Sequence, residues 1–372
     1  MSSLRRGCRR HNMIALQLAL TLWPLALHPL AAGSAADIIS RRTYGVQLSA
    51  KGLPVAVYTS EACVGHDPGW MHPEKPERLI TLLNAMRGEW ARAFGDRMRV
   101  HEPEVEVTDE QLLRVHTPEH LKVVEDAYKQ LNLIRRQVKI DADTVVSPGS
   151  ELAAKRAAGL VVAAVDDLMS RSVEVKRAFV MVRPPGHHAE ADKPQGFCLY
   201  NNVLVGVAHA QAVHGIKRVA ILDFDVHHGN GDEAIAMTDR SRLYASSHQS
   251  PCYPGTGLTP GASGPHKNIW NVPLEPGAGS AEFRAAWTKT LLPAVRRFKP
   301  DAIFISAGFD AHAEDPLASV QLSDEDFSWI TKEIVSTVGN GRLPIISVLE
   351  GGYNVVSLER AVRAHLEALM KA

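Results

Sequence analysis

The segment 221–231 carries side chains that could hold a divalent cation. Its sequence, Ile-Leu-Asp-Phe-Asp-Val-His-His-Gly-Asn-Gly, begins as an apolar strand and ends in polar residues. Side chains alternate between the faces of a strand, so an extended chain places Asp223, Asp225 and His227 on one side. Two carboxylates and an imidazole on a buried face need a positive partner. This mixed set suits zinc or ferrous iron, and the following glycines allow a tight turn.

Polar residues also follow three other predicted strands. The strand at 178–182 precedes Arg-Pro-Pro-Gly-His-His, the strand at 302–306 precedes Gly308-Phe-Asp310, and the strand at 345–349 precedes Glu-Gly-Gly-Tyr-Asn. In open parallel sheets, ligands bind at the carboxyl ends of the strands. Together with the strand at 219–224, these segments predict a single site at one edge of a sheet.

The elements that must position these residues alternate between helix and strand. Further strands are predicted at 53–59 and 243–246, and helices at 76–90, 109–115, 117–130, 202–214, 282–298, 323–338 and 358–370. Ser147-Pro148 predicts the start of another long helix, with Ser147 as its N-cap and Pro148 in its first position. Apolar strands alternating with helices indicate a parallel sheet covered on both faces. No boundary is evident inside 53–372, which predicts one domain.

Other charged residues and histidines carry weaker signals. Between residues 66 and 78 the chain is rich in Gly and Pro, and we expect Glu74 and Lys75 to be solvated. Histidines outside the four segments are predicted to be structural or on the surface, without partners; examples are His101, His116, His120, His209 and His214.

The N-terminus is typical of a secretory signal peptide. Four arginines precede an apolar run at 13–27, and small residues follow at 31–36 before Asp37. This order of charge, apolar run and small residues predicts cleavage between Ala32 and Ala36. Residues 1–36 are thus a predicted leader and 37–52 a linker. An uncleaved anchor or a misplaced start codon are the alternatives, and Pro24 and Pro29 weaken a spanning helix.

Charge and cysteine content exclude two classes of protein. The chain has 41 basic and 41 acidic side chains, and loss of the leader removes four arginines and no acid, which leaves a net charge of −4. Without a basic excess, nucleic-acid binding has no electrostatic support. Outside the leader only Cys63, Cys198 and Cys252 remain, an odd and widely spaced set that predicts buried or pocket-lining thiols instead of a disulfide framework.

Taken in order, the motifs resemble the metal-dependent histone deacetylase superfamily, which includes acetylpolyamine amidohydrolases and acetoin-utilisation proteins. The motifs are Arg183-Pro-Pro-Gly-His-His188, Gly196-Phe-Cys198, Asn201-Asn202, Asp223-x-Asp-x-His-His-Gly-Asn-Gly231, Ser306-Ala-Gly-Phe-Asp310 and Gly351-Gly-Tyr353. The resemblance runs from residue 53 to the C-terminus. It looks closest to bacterial class II members, because Asn230 stands where class I enzymes carry Asp. It implies the arginase/deacetylase fold, a three-layer α/β/α unit with a central, mainly parallel sheet.

The resemblance implies a role for each matching residue. Asp225, His227 and Asp310 would be the metal ligands, with Zn²⁺ as the expected ion and Fe²⁺ as the alternative. The catalytic residues would be His188 as general base and acid, His187 as the group that orients water, Asp223 and Asn230 as partners of the two histidines, and Tyr353 as donor to the oxyanion. Residues expected to bind substrate or product are Gly196, Phe197, Tyr253, Gly351, Gly352 and Arg78. Phe197 and Tyr253 would be parallel aromatic walls of an acyl-lysine tunnel, and core packing is the alternative for both. Ser246 follows the position that, with Asp223 and Asp225, holds a structural K⁺ in relatives.

These expectations predict a zinc-dependent hydrolase that removes an acetyl or short acyl group from an amine and releases acetate. Acetyl-lysine and an acetylated polyamine are both open as substrates. An arginase-like ureohydrolase would need a second metal and more Asp and His ligands. A silent acyl-binding module would lack His188, Tyr353 or a metal ligand, and none is missing. A genuine leader predicts a periplasmic or exported enzyme without stable membrane association after cleavage; otherwise we expect a cytoplasmic one.

Overall fold

The structure is a computed structural model that describes residues 53–170, 175–337 and 342–371 of the 372-residue chain. The predicted leader and linker lie outside these residues. No helix within the described ranges combines the length and apolar character that crossing a bilayer requires.

Eleven strands occur in the described residues. They are β1 (Val55–Thr59), β2 (Met98–His101), β3 (Val138–Lys139), β4 (Val145–Val146), β5 (Arg177–Met181), β6 (Val219–Asp223), β7 (Arg242–Gln249), β8 (Gly261–Ser263), β9 (Ile269–Leu274), β10 (Ala302–Ala307) and β11 (Ile345–Leu349). Every residue of β1, β5, β6, β10 and β11 is buried, as expected for apolar strands in the middle of a covered sheet.

The same part of the chain forms eleven α-helices. They are α1 (Glu77–Ala85), α2 (Ala91–Phe94), α3 (Asp109–Leu112), α4 (Pro118–Ile134), α5 (Ser150–Met169), α6 (Asn202–His214), α7 (Asn230–Met237), α8 (Ser280–Ala286), α9 (Leu292–Phe298), α10 (Asp324–Thr337) and α11 (Val355–Leu369). A π-helical turn at Met86–Trp90 joins α1 to α2, and another at Trp287–Leu291 joins α8 to α9. The predicted helices at 76–90 and 282–298 therefore each continue through a widened turn.

Nine strands form one twisted sheet in the order β2-β1-β5-β11-β10-β6-β7-β9-β8. All neighbours are parallel except β8 and β9, and β3 pairs with β4 in a separate antiparallel ribbon. Helices α5 and α6 pack together against β1, β5, β10 and β11, and α10 and α11 form a second pair. Because the central strands are buried on both sides, the helices cover both faces. The predicted α/β fold with a central, mainly parallel sheet is confirmed.

The register aligns the carboxyl ends of the central strands. Asp223 at the end of β6 lies beside Ser306 of β10 and Ser246 of β7. Ala307 of β10 lies beside Leu349 of β11, and Val348 beside Val180 of β5. The polar segments that follow β5, β6, β10 and β11 therefore emerge at the same edge, as the sequence predicted.

The start of α5 differs from the prediction. The helix begins at Ser150, and Gly149 precedes it with a left-handed φ of 96°. A Cβ on Gly149 would lie 2.6 Å from the carbonyl oxygen of Gly65, so the close approach of these two loops sets the turn. The Ser147 hydroxyl accepts a hydrogen bond from the Asp67 backbone N–H at 2.8 Å, so it is used by a neighbouring loop instead of capping the helix at Pro148.

Candidate active site

The loop between β6 and α7 carries the central cluster of the site. Asp225 and His227 lie on this loop, and Asp310 reaches them from the segment after β10. His227 Nδ1 is 3.2 Å from Asp225 Oδ1 and 3.0 Å from Asp310 Oδ2, and all three residues are buried. One possible ligand atom from each lies within 4.8 Å of the others. The structure thus brings together the three side chains predicted to be metal ligands.

Asp223 does not join this set, although it lies on the same strand end. Its Oδ1 accepts the Asp225 backbone N–H at 3.0 Å, and its Oδ2 accepts the Tyr244 hydroxyl at 2.9 Å. The strand ends at Asp223, so alternation of faces does not continue to His227. Asp223 therefore holds the backbone of the cluster instead of joining its ligand atoms, and its role as partner of a catalytic histidine stays a prediction.

Two glycines leave room for the carboxylates. A Cβ on Gly308 would lie 1.9 Å from Asp225 Oδ2, and one on Gly351 would lie 2.1 Å from Asp310 Oδ2. The Gly351 backbone N–H also donates to Asp225 Oδ2 at 2.8 Å. Because these loops pack directly against the carboxylates, Asp225 Oδ1 and Asp310 Oδ2 are held within 3.2 Å and 3.0 Å of His227 Nδ1. An imidazole and two carboxylates in this arrangement fit a zinc or ferrous ion with further coordination positions open.

His187 and His188 stand beside the cluster with their ring centroids 4.0 Å apart. His187 Nδ1 is 3.3 Å from Asp223 Oδ2, and His188 Nδ1 is 2.9 Å from Asn230 Oδ1. The two expected pairings are therefore present in the geometry.

The same neighbours set different charge states for the two rings. Burial lowers the pKa of His187, but the carboxylates of Asp225 and Asp223 outweigh it and hold that pKa well above its ordinary value. Burial lowers the pKa of His188 well below its ordinary value, and the charges of His187 and His227 add to this effect. The two adjacent imidazoles thus have pKa values shifted in opposite directions.

A cavity of about 280 Å³ opens onto the cluster. Its lining residues are Asp143, His188, Gly196, Phe197, His227, Cys252, Tyr253, Leu317 and Tyr353. A Cβ on Gly196 would lie 2.5 Å from the His188 ring, so only glycine allows this wall to approach. The Phe197 ring packs edge-on against Tyr353, and the Tyr253 ring packs edge-on against His188. Both aromatic residues line the cavity, whereas their parallel arrangement stays a prediction.

Tyr353 lines the cavity and is held in place by groups that do not. Its backbone N–H donates to Asp315 Oδ2 at 2.6 Å. The Arg78 guanidinium lies 4.8 Å from the centre of the Tyr353 ring and donates to the carbonyl oxygens of Glu350 and Gly352. Burial raises the pKa of Tyr353 well above its ordinary value, although Arg78 opposes this, so the phenol keeps its proton. Arg78 therefore contacts Tyr353 rather than the cavity itself.

The prediction that Glu74 is solvated is wrong. Glu74 is fully buried and accepts two hydrogen bonds from Arg183, each at 2.7 Å. It accepts a third from Arg78 at 3.1 Å, and His66 lies 3.3 Å away. The local sequence does not show that Glu74 is buried, because its main partner, Arg183, lies 109 positions away along the chain.

The prediction that the other histidines lack partners is also wrong. His116 and His120 stack with ring centroids 4.0 Å apart, and His116 Nε2 accepts the Asn201 backbone N–H. His209 and His214 both contact Asp166. Each of these rings therefore has a defined neighbour in the fold.

Three cavity residues were not assigned to the site from the sequence motifs. Asp143 comes from the turn between β3 and β4, Cys252 from the loop after β7, and Leu317 from the loop after β10. Cys252 agrees with the general prediction of a pocket-lining thiol. Asp143 and Leu317 carry no signal in the sequence, because only the packing of distant loops brings them to the cavity.

The chain is similar to known proteins both in sequence and in structure. A family model described as the histone deacetylase domain matches residues 72–369. A histone deacetylase-like amidohydrolase of Pseudomonas aeruginosa is 37% identical over 315 residues, covering 81% of this chain and 76% of that protein. An uncharacterised protein of Synechocystis is 38% identical over 321 residues, covering 85% and 99%. The crystal structure of the HDA15 HD domain superposes with a TM-score of 0.77 at 34% identity, covering 86% of this chain and 90% of that one.

Proposed function

Because this chain belongs to the histone deacetylase family and is a hydrolytic deacetylase, we propose that it uses zinc to remove an acetyl or short acyl group from an acetyl-lysine side chain. The observation that carries the proposal is the position of one buried ligand cluster, Asp225, His227 and Asp310, beside a cavity that also exposes His188 and Tyr353. Acetate and a free amine are the products.

The zinc assignment is supported by the donor set. One imidazole nitrogen and carboxylate oxygens from two aspartates suit a borderline divalent ion, and three protein ligands are typical of catalytic zinc sites. When bound, such an ion is a Lewis acid that polarises the amide carbonyl and lowers the pKa of water. Ferrous iron accepts the same ligands and is the alternative. The family expectation of K⁺ near Asp223 and Ser246 stays a prediction.

His188 is proposed to move the proton. Its lowered pKa keeps the imidazole neutral near pH 7, so it can take a proton from the attacking water and later give it to the leaving amine. Asn230 holds His188 Nδ1 at 2.9 Å, which leaves the other ring nitrogen toward the cavity. The cationic His187 then supplies positive charge beside the reacting atoms while Asp223 fixes its ring.

Tyr353 is proposed to stabilise the oxyanion that develops from the substrate carbonyl. Its pKa lies well above neutrality, so its hydroxyl is a donor at working pH. The Asp315 and Arg78 contacts fix the backbone and the ring before substrate arrives. A pre-oriented donor stabilises the transition state without reorganisation.

The cavity and its surroundings support a substrate with an apolar arm on a larger body. Phe197, Tyr253 and Leu317 give the cavity walls that suit a chain of methylene groups. A neighbouring groove of about 450 Å³ shares Asp143 with the cavity and is bounded by Trp70 and Met71, both largely exposed. A peptide that carries an acyl-lysine could occupy this groove with the residues that flank the lysine.

One observation favours a second candidate, an acetylated polyamine. Asp143 lies where the cavity meets the groove, and a carboxylate at this position would attract a second ammonium group of the same small molecule. The pKa of Asp143 is raised by partial burial and by Asp141, so a cationic partner would relieve an unfavourable environment. An acetylated polyamine would interact with the Asp143 carboxylate alone, whereas an acyl-lysine peptide would also occupy the groove.

The test is a substrate panel on metal-stripped and zinc-reloaded protein. We expect acetyl-lysine peptides to be hydrolysed faster than acetylputrescine, and chelation to abolish both activities until zinc is returned. Activity that persists after complete removal of metal would contradict the mechanism. Faster turnover of acetylputrescine, with loss of that preference in Asp143→Asn, would replace the peptide by the polyamine as substrate.

A further inference from the structure

Asp166, His209 and His214 form a second cluster of ligand-type side chains, separate from the catalytic residues. His209 Nε2 lies 2.8 Å from Asp166 Oδ1, and His214 Nε2 lies 2.7 Å from the same oxygen. One ligand atom from each residue lies within 4.8 Å of the others. The cluster joins α5, which carries Asp166, to α6, which carries both histidines.

The cluster lies at the opposite end of α6 from the active site. Asn201 and Asn202 at the start of α6 contact Ala189 and Pro184 of the catalytic segment. His214 is the last residue of this 13-residue helix, which spans about 20 Å at 1.5 Å per residue. The chain then enters β6 at Val219, so His214 is near the amino edge of the sheet.

We propose that Asp166, His209 and His214 bind a divalent transition-metal ion such as Zn²⁺, which fastens α5 to α6. Two imidazoles and one carboxylate are borderline ligands that favour Zn²⁺, Co²⁺ or Ni²⁺ over Mg²⁺ or Ca²⁺. His209 is buried and preorganised, whereas the Asp166 side chain is 51% exposed and leaves an open path for an ion and its water. Ligands of a tetrahedral zinc ion stand about 3.3 Å apart, so the cluster would open by roughly 0.5 Å.

Arg114 opposes metal binding at this cluster. Its Nη1 lies 3.1 Å from His209 Nδ1, and an arginine can only donate. The imidazole therefore carries its proton on Nε2, the atom that must bind the metal. Metal-bound histidines ordinarily donate the other N–H to an acceptor. Arg114 must release His209 before the ion binds, and its other terminal nitrogen, Nη2, already donates to Glu110 Oε1 at 2.8 Å, a contact that does not depend on His209.

This arrangement predicts opposite effects of two substitutions. His214→Gln removes a ligand and should abolish the site. Arg114→Gln removes the competing donor and offers an acceptor to His209 Nδ1, so we expect metal affinity to rise by about tenfold or more. A network of hydrogen bonds without a metal function would show neither effect.

The experiment measures zinc bound per chain after equilibrium dialysis of the full-length holoenzyme against micromolar Zn²⁺. We expect about two equivalents in the wild type and about one in His214→Gln, with far-UV circular dichroism and deacetylase activity unchanged. His266→Gln is the matched control, because His266 is an exposed histidine outside the cluster and should leave two equivalents.

Three results would overturn the proposal: one equivalent in the wild type, two in His214→Gln, or no tightening in Arg114→Gln. If His214→Gln does not fold, Asp166→Asn replaces it, since the Asp166 side chain is half exposed. Increased hydrogen-exchange protection of α5 and α6 on zinc addition, absent from the ligand variants, would show that the ion fastens the two helices.

Discussion

Tyr353 is oriented by groups that do not line the cavity. Asp315 accepts its backbone N–H, and Arg78 packs its guanidinium against the ring. Arg78 is in turn fixed by Glu74 and by the carbonyls on either side of Gly351. A single hydroxyl therefore depends on three charged side chains, all buried.

Tyr353→Phe should lower kcat by about 100- to 1000-fold, the usual cost of losing one donor to an oxyanion. Zinc content should not change, because Tyr353 is not among the clustered ligand side chains. Steady-state kinetics and metal analysis on the same sample check both points. Tyr128→Phe is the control, since Tyr128 lies on α4 outside the cavity lining and should leave kcat unaltered. Full activity in Tyr353→Phe would reject the donor role.

At the scale of elements, the site depends on how closely the loops after β10 and β11 approach the loop after β6. Gly308 and Gly351 make this approach possible, because any side chain there would overlap a carboxylate of the cluster. The glycines thus set the spacing between three segments, while the aligned ends of β6, β10 and β11 set their direction.

Gly308→Ala should therefore displace the Asp225 carboxylate and lower the zinc affinity of the catalytic cluster by about tenfold or more, so that the zinc of this site is lost. Gly88→Ala is the matched control, because nothing lies within 4 Å of a Cβ at Gly88. That change lies in a helical segment and should leave zinc content intact while stabilising the helix by roughly 0.5–1 kcal/mol. Metal analysis and thermal unfolding of both variants give the answer, and normal zinc in Gly308→Ala would disprove the spacing argument.

Sequence patterns predicted the central strands and the residues that follow them, because a strand buried on both faces needs a continuous apolar run. The edge strands β2 and β8 were missed, since strands with one free side carry mixed residues such as Arg99 and Ser263. Glu74, Asp143 and Leu317 were missed for another reason. Their environment is formed by residues that are distant in the chain, and a local sequence pattern does not predict such tertiary contacts.

At the scale of the whole molecule, Glu74 links the loop before α1 to the sheet. Its carboxylate pairs with Arg183, which follows β5, and with Arg78 of α1. Arg183 also donates to the carbonyl oxygens of Cys63 and His66. Burial would raise the pKa of Glu74, but Arg183, His66 and Arg78 outweigh it and hold that pKa well below its ordinary value.

Glu74→Gln should lower the free energy of unfolding by about 3–5 kcal/mol near pH 7, because it leaves buried arginines without their counter-charge. The folded pKa lies below the unfolded value near 4.5, so this stabilisation is complete above that pH. It is lost as the pH falls below 4.5 toward the folded pKa.

Urea unfolding of wild type and variant at several pH values tests this, with a constant difference above pH 4.5 and a shrinking one below it. Glu61→Gln is the control, since the pair of Glu61 with Arg87 is exposed and should contribute little. A pH-independent difference between wild type and Glu74→Gln would argue against the charge pairing.

The predicted leader bears on where the molecule works, and we propose export followed by cleavage between Ala32 and Ala36. Mass spectrometry of the protein purified from its native cells should find a first residue between 33 and 37. A soluble protein that begins at Met1 in the cytosolic fraction would dismiss this location.

The sheet ends in two short strands, β2 with four residues and β8 with three. Such short edge strands offer few unpaired backbone N–H and C=O groups to which a strand of another chain could hydrogen-bond. The edges of the sheet therefore give little opportunity for edge-to-edge association of folded molecules into fibrils. Concentrated solutions of the folded protein should stay clear and should not form a gel.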